Sequence, residues 1–227
     1  MATQIKFGTS GWRAIVADEF TVENIRRAVT GIAKYVAAQP LLAGQPKHRI
    51  LVGRDPRFLG ESFVDLSADV FAAHGIQPEV ITEAAPTPAI AYGVREFKTS
   101  GAINFTASHN PPEYNGIKFS TPDGAPALPE MTRQIEANIV ALGEEIVPAA
   151  PKLKHTTADV KPAYMKKLAE IVDLAAIKKS GIKIVVDPFW GAGRGYQSEL
   201  LKDAGVPVAT VHDYRDVLFG GHAPEPD

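Results

Sequence analysis

Ile50-Leu51-Val52-Gly53-Arg54-Asp55-Pro56-Arg57-Phe58-Leu59-Gly60 runs from an apolar segment through a polar turn to the start of a helix. A short apolar run bounded by Gly and Pro reads as a buried strand feeding a loop. The period then changes. From about Gly60 to His74, Phe63, Leu66, Val70 and Phe71 face inward, and Gly75 stands where a helix stops on a left-handed residue. Upstream, Thr21 to Ala38 carries Val22, Ile25, Val29, Ile32, Ala33 and Val36 on one stripe, with Thr21 placed to cap it and Pro40 following. Downstream come a strand at Val80-Ile81-Thr82 and a helix from Thr87 to Phe97, with Pro88 in its first turn. Strands at Ala102 to Phe105 and Ile117 to Ser120 flank a polar loop, and a helix follows from Pro129 to Leu142. Strands alternating with helices at this spacing predict an α/β protein with a largely parallel sheet.

Val147-Pro148-Ala149-Ala150-Pro151 breaks the periodicity. The expected division is a first domain over 1–146, a linker over 147–158 and an incomplete second domain over 159–227. In the second, a helix is expected from Asp159 to Leu174 and a strand from Ile182 to Val186. Val185-Val186-Asp187-Pro188-Phe189-Trp190-Gly191 resembles the opening stretch: strand, Asp-Pro, aromatic, Gly, helix. The two helices end at Ala73-His74-Gly75 and Asp203-Ala204-Gly205, each followed by a strand. Two related α/β units explain this match; so does chance, because every such unit has a strand, a turn and a Gly stop. The last residues, Gly220 to Asp227, read as a loop after only two obvious strands of the second unit, too few for a sheet of its own. The chain is therefore expected to stop mid-domain.

The 227 residues suffice for a sizeable core, and a net charge of −2 gives no basic excess for nucleic acid. The absence of cysteine excludes disulfides and thiolate metal sites. No signal-peptide pattern opens the chain and no apolar run would span a bilayer. The cytoplasm is the expected compartment, with no nucleic-acid or membrane partner. Nothing in the sequence fixes an oligomeric state.

The densest polar cluster is Thr106-Ala107-Ser108-His109-Asn110-Pro111-Pro112, directly after the apolar strand. Open α/β sheets bind ligands in loops at the C-terminal ends of their strands. Ser108 can act as nucleophile or phosphoryl acceptor once activated, and Lys118 returns to the sheet within plausible reach. Taken alone these are also ordinary turn residues, and composition favours a structural turn. Ser108 lacks the G-x-S-x-G elbow, which argues against a serine hydrolase. Gly191-Ala192-Gly193-Arg194-Gly195 has the wrong spacing for a dinucleotide fingerprint. His48, His74, His155, His212 and His222 are scattered without metal-ligand spacing.

The run TASHNPPEYNGIK, Thr106 to Lys118, resembles the phosphoserine loop of the α-D-phosphohexomutase superfamily, in particular its phosphoglucomutase/phosphomannomutase branch. Phe7-Gly8-Thr9-Ser10-Gly11-Trp12-Arg13 resembles that family's Gly-Thr-x-Gly-x-Arg signature, and Gly53-Arg54-Asp55-Pro56-Arg57 its Gly-Arg-Asp-x-Arg turn. The resemblance implies a three-layer α/β/α domain with a mixed, largely parallel sheet, followed by part of a second, similar domain. It implies that Ser108 carries a phosphoryl group, charged about −1.5 to −2, which passes to and from a hexose phosphate through a sugar bisphosphate. It further implies Lys118 as general acid/base, Arg13 as a phosphate ligand, and His109 as a loop support or proton-transfer group. Mg²⁺ would be bound through the Ser108 phosphate. Arg54 and Asp55 are expected to pair with each other and brace the loops. The family's Asp-Gly-Asp-x-Asp-Arg metal loop has no match in the chain, so the remaining metal ligands are expected to lie outside it, the chain to be truncated and the fragment to be inactive. Two alternatives are a non-catalytic α/β module that binds a sugar phosphate or a partner, and a branch acting on amino-sugar or pentose phosphates.

Overall fold

The structure is a computed structural model and describes residues 4–8, 11–143 and 146–225. The first unit comprises β1 (Trp12–Ile15), α1 (Val22–Ala37), β2 (Arg49–Arg54), α2 (Gly60–Ala73), β3 (Gln77–Ile81), α3 (Thr87–Glu96), β4 (Ala102–Phe105), β5 (Tyr114–Ser120), α4 (Pro129–Val140) and β6 (Thr156–Ala158). Its sheet has the order β1-β5-β4-β2-β3-β6. The β2–β3, β2–β4 and β3–β6 pairings are parallel, whereas β1–β5 and β4–β5 are antiparallel. The sheet is thus mixed and largely parallel.

Strand alternation divides the core between the two faces. Ile50, Val52, Ile103, Phe105, Ile117 and Phe119 pack with Ile25, Val29, Ile32, Phe63, Phe71 and Ile135 from α1, α2 and α4. Leu51 and Ala102 point the other way, against Ala89, Ile90 and Val94 of α3. Three layers result. Gly31 lets α1 and α4 approach closely, since a Cβ there would lie 2.4 Å from the Ile139 side chain.

The second unit holds α5 (Lys161–Ile171), α6 (Leu174–Lys179), β7 (Ile184–Val186), α7 (Gln197–Asp203) and β8 (Val208–Thr210), then a 3₁₀ turn at Phe219–Gly221. β7 and β8 form a parallel two-stranded sheet. The single helix expected to Leu174 is broken instead: Val172 is extended, and Asp173 caps α6 by accepting from the Ala176 N–H at 2.9 Å. The segment expected as a linker over 147–158 contributes β6, whose Thr156, Thr157 and Ala158 pair with Glu79, Val80 and Ile81. Among the described residues, no helix is long and apolar enough to cross a membrane.

The internal likeness recurs in the backbone. Asp55 Oδ1 accepts from the Arg57 N–H at 3.1 Å and Asp187 Oδ1 from the Phe189 N–H at 2.9 Å, the same Asx turn after each strand. Gly75 and Gly205 both have positive φ, 73° and 78°, and both donate to a carbonyl in the last turn of the preceding helix.

Candidate active site

The loop after β4 rises from the C-terminal end of a central strand and returns along β5. Ser108 stands exposed on it in the left-handed conformation, φ 59°. This costs a non-glycine residue on the order of 1–2 kcal/mol and persists where surrounding contacts impose it. Here the contacts are specific. The Ser108 N–H donates to Thr106 Oγ1 at 3.0 Å, and the Thr106 side chain is hydrogen-bonded to the Asp55 carboxylate. The Asn110 N–H donates to the Ala107 carbonyl at 3.1 Å.

Arg57, only 1% exposed, passes beneath the loop. Nη2 donates to the Ser108 and Asn110 carbonyls at 3.0 and 2.7 Å, and Nη1 to those of Pro111 and Tyr114 at 2.8 and 3.0 Å. Nε donates to Asp55 Oδ2 at 3.2 Å. Every N–H of the guanidinium fork is used. Burial raises the Asp55 pKa, opposed by Arg57 and by the Thr106 hydrogen bond.

Two further cations stand on the neighbouring strands β1 and β5. Arg13 on β1 lies opposite Gly116 of β5 and donates from Nη1 to Asn110 Oδ1 at 2.7 Å; its buried Nε has no partner. Gly11 and Gly116 permit this approach, because a Cβ at Gly11 would lie 2.3 Å from the Ile117 carbonyl oxygen and one at Gly116 2.5 Å from that of Trp12. Lys118 stands on β5. Burial pushes its pKa below the usual lysine value and Arg13 adds to this, while Asp55 opposes. A cavity of about 290 Å³ opens beside Ser108, between Asp55, Thr87 and Asn104 of the first unit and Phe189, Gly191 and Phe219 of the second.

His109 is exposed and turns its Nδ1 toward Glu225 Oε2 at 3.3 Å; no hydrogen bond joins it to Ser108 among the described residues. Thr9 and Ser10 of the N-terminal signature lie outside the described residues. The expected Arg54–Asp55 side-chain pair is not formed among the described residues; Arg54 reaches only the Asp55 carbonyl, at 3.4 Å. Arg54 pairs with Glu61 at 2.9 Å and donates to the Thr82 carbonyl, while Asp55 pairs with Arg57. The reason is geometric: along β2 these neighbours project to opposite sides of the strand end. Arg215 of the second unit joins the same corner, donating to the Pro56 carbonyl at 3.2 Å and pairing with Glu61 at 2.8 Å, and the Phe219 ring lies 5.1 Å from the Arg57 guanidinium carbon.

The described residues do not fit a metal set. No group of three or more His, Cys, Asp or Glu among them could hold an ion, and Asp55, in the cavity wall, is already engaged by Arg57 and Thr106.

Residues 4–145 match the family model described as phosphoglucomutase/phosphomannomutase, alpha/beta/alpha domain I, and residues 162–227 match the model for domain II. The chain belongs to the phosphoglucomutase/phosphomannomutase family. It is 31% identical over 221 residues to the phosphoglucomutase/phosphomannomutase of Thermococcus kodakarensis, covering 97% of this chain and 47% of that protein. To the phosphoglucosamine mutase of Alkaliphilus metalliredigens it is 31% identical over 213 residues, covering 92% and 46%. A crystal structure of a Thermus thermophilus protein, provisionally named a phosphomannomutase, superposes with a TM-score of 0.88 at 30% identity, covering all of this chain and 50% of that one. The chain thus spans about half the length of the curated relatives it matches. In this phosphoglucomutase/phosphomannomutase family chain the sequence motifs marked Ser108, Lys118 and Arg13. The motifs assign no role to Arg57, Thr106 or Asn104. Asn104 carried a signal of its own, as the one polar side chain in an otherwise apolar strand.

Proposed function

We propose that Ser108 is the phosphoryl carrier of a hexose-phosphate mutase, of which this chain supplies the carrier loop. The reading is carried by one observation: an exposed serine, held left-handed by a fully bonded arginine, at the wall of a cavity, on a loop that Arg13 also bonds through Asn110. In the transfer, a sugar hydroxyl oxygen forms a bond to the phosphorus as the bond from phosphorus to Ser108 Oγ breaks. The hydroxyl proton ends on Ser108 Oγ, and Lys118 would relay it. The direction of the Lys118 shift, downward through burial and Arg13, suits this, because it favours the neutral amine that accepts a proton. Arg13 would offset the phosphate charge and so favour in-line approach. His109, next to the carrier, would support the loop or assist proton transfer. The parent enzyme would use Mg²⁺ at the Ser108 phosphate, with ligands from beyond the described residues, and would act in the cytoplasm on a hexose phosphate.

The test is intact-mass analysis of the chain with and without a hexose bisphosphate. A gain of one phosphoryl group that Ser108→Ala abolishes is expected; a chain that never accepts phosphate supports the non-catalytic module instead. The chain alone is expected to show no appreciable conversion of glucose 1-phosphate to glucose 6-phosphate, since its described residues offer no metal ligand set. Turnover comparable to a full-length homologue would refute that. Relatives named for both glucose and glucosamine phosphates make a panel of hexose and amino-hexose phosphates the direct test of substrate.

A further inference from the structure

Strand β4 is buried at every position, and Asn104, 3% exposed, is its single polar side chain. It lies on the face toward α3. There its Nδ2 donates to Thr87 Oγ1 at 3.0 Å, at the first turn of α3. Its Oδ1 is buried with no partner. A buried acceptor left unpaired in a native fold calls for a donor.

The antiparallel register supplies one. Asn104 is paired directly with Lys118 of β5, so the two side chains leave the sheet on the same face. Directly opposed residues have Cβ atoms about 4.5–5.5 Å apart, well within the swing of a lysine stem. Lys118 is itself without a hydrogen-bond acceptor or ion-pair partner among the described residues; the charges that act on it are Arg13 from β1 and Asp55 from the turn after β2. No charged side chain of α3 acts on it, the helix presenting Thr87 and Pro88 at this point. A donor-rich ammonium without an acceptor thus belongs to the residue in register with a buried acceptor without a donor, and the two are not bonded in this structure. Thr87 links them spatially. It lines both the cavity that holds Ser108 and Asn104 and a neighbouring cavity of about 340 Å³ that holds Lys118.

We propose that Asn104 is a positioning residue for Lys118: its Oδ1 receives the Lys118 Nζ, and the Thr87 hydroxyl fixes the carboxamide so that the oxygen points at the lysine. This rests on the reading of Lys118 as the acid/base of the proposed transfer. The pair gives the lysine a second position beside its working one. Held by Asn104, the ammonium is drawn toward the sheet; when phosphate occupies Ser108, the same flexible stem can turn to it. Asn104 touches no substrate in this scheme and acts through the lysine.

The experiment is amine-selective acylation of the chain at one fixed pH, quantified at Lys118 by peptide mass, with exposed Lys6 as internal reference. A hydrogen bond to the ammonium favours the charged, unreactive form. Asn104→Leu, which keeps the bulk and removes the acceptor, is expected to raise the Lys118 rate about threefold to tenfold relative to Lys6. Asn104→Asp, which keeps an acceptor and adds charge, should lower it below wild type. An Asn104→Leu chain with wild-type circular dichroism and unchanged Lys118 labelling overturns the proposal, as it would if a buried water satisfied Oδ1. Should Asn104→Leu fail to fold, the wild-type chain decides through ¹⁵N-lysine spectra. Lys118 ammonium protons slow to exchange and showing an NOE to the Asn104 carboxamide support the pair, and fast exchange without that NOE overturns it. The labelling does not involve Ser108, so a chain whose serine never accepts phosphate would end the carrier reading and leave this result standing.

Discussion

Arg57 holds four carbonyl oxygens of one loop and a carboxylate with a single planar group. Removing one member of a buried charged pair costs about 3–5 kcal/mol. Arg57→Ala is accordingly expected to lower stability by about that much in urea denaturation. Arg57→Lys keeps the charge but cannot reproduce the fork; it should fold while the amides of His109, Asn110, Glu113 and Tyr114 exchange markedly faster with deuterium. Unchanged loop exchange in Arg57→Lys would show that the carbonyls find other partners. Ser108 itself was legible from the sequence, because its neighbours spell a recognisable loop. The reach of Arg57 was not, since its acceptors are backbone carbonyls more than fifty positions away and carry no trace in residue identity. Arg54 and Asp55 misled for a related reason: adjacency in sequence suggested a pair that strand geometry forbids.

The elements that the sequence announced are those with long periodic patterns. Helices α1 to α4 and strands β2 to β5 fall where apolar spacing puts them. β1 was missed because Trp12-Arg13-Ala14-Ile15 is too short to show alternation, and β6 because Thr156-Thr157-Ala158 has no apolar run. Both exist through their partners, β5 and β3. That dependence makes β1 sensitive to what separates it from β5. At Gly116 an added Cβ would fall 2.5 Å from the Trp12 carbonyl oxygen and 2.7 Å from that of Thr106, both backbone atoms that cannot swing aside. Gly116→Ala is expected to cost about 1–3 kcal/mol in thermal denaturation, the usual range for overpacking, and to displace Arg13, its partner in register. Wild-type stability in that variant would show that β1 and β5 can part without loss.

Across the whole molecule, the two units meet at Glu61, which pairs with Arg54 of its own unit and Arg215 of the other. Partial burial pushes the Glu61 pKa up, but hydrogen bonds from its backbone and from Arg215, with the charges of Arg54 and Arg215, outweigh this and leave it lowered. A lowered carboxylate stabilises the folded arrangement above its unfolded value, about 4.3, and that contribution is lost as pH falls through the lower folded value. Acidification below pH about 4 should therefore loosen the contact between 211–221 and 55–61, seen as faster amide exchange in both segments. Glu61→Gln should be loose at neutral pH already and insensitive to that step; equal protection in both proteins would assign the contact to Phe219 and Arg57 instead.

Strand β6 gives the Pro-rich segment before it an unexpected meaning. A protease or an engineer cutting at Pro148 or Pro151 would leave the first unit with β3 bare along its outer rim, and would also remove Val160, which is buried over Gly93 and Leu51. Unpaired rims of this kind recruit other chains. The shortest piece that stays monomeric should reach at least to Val160, and pieces ending near 146 should scatter light as they self-associate.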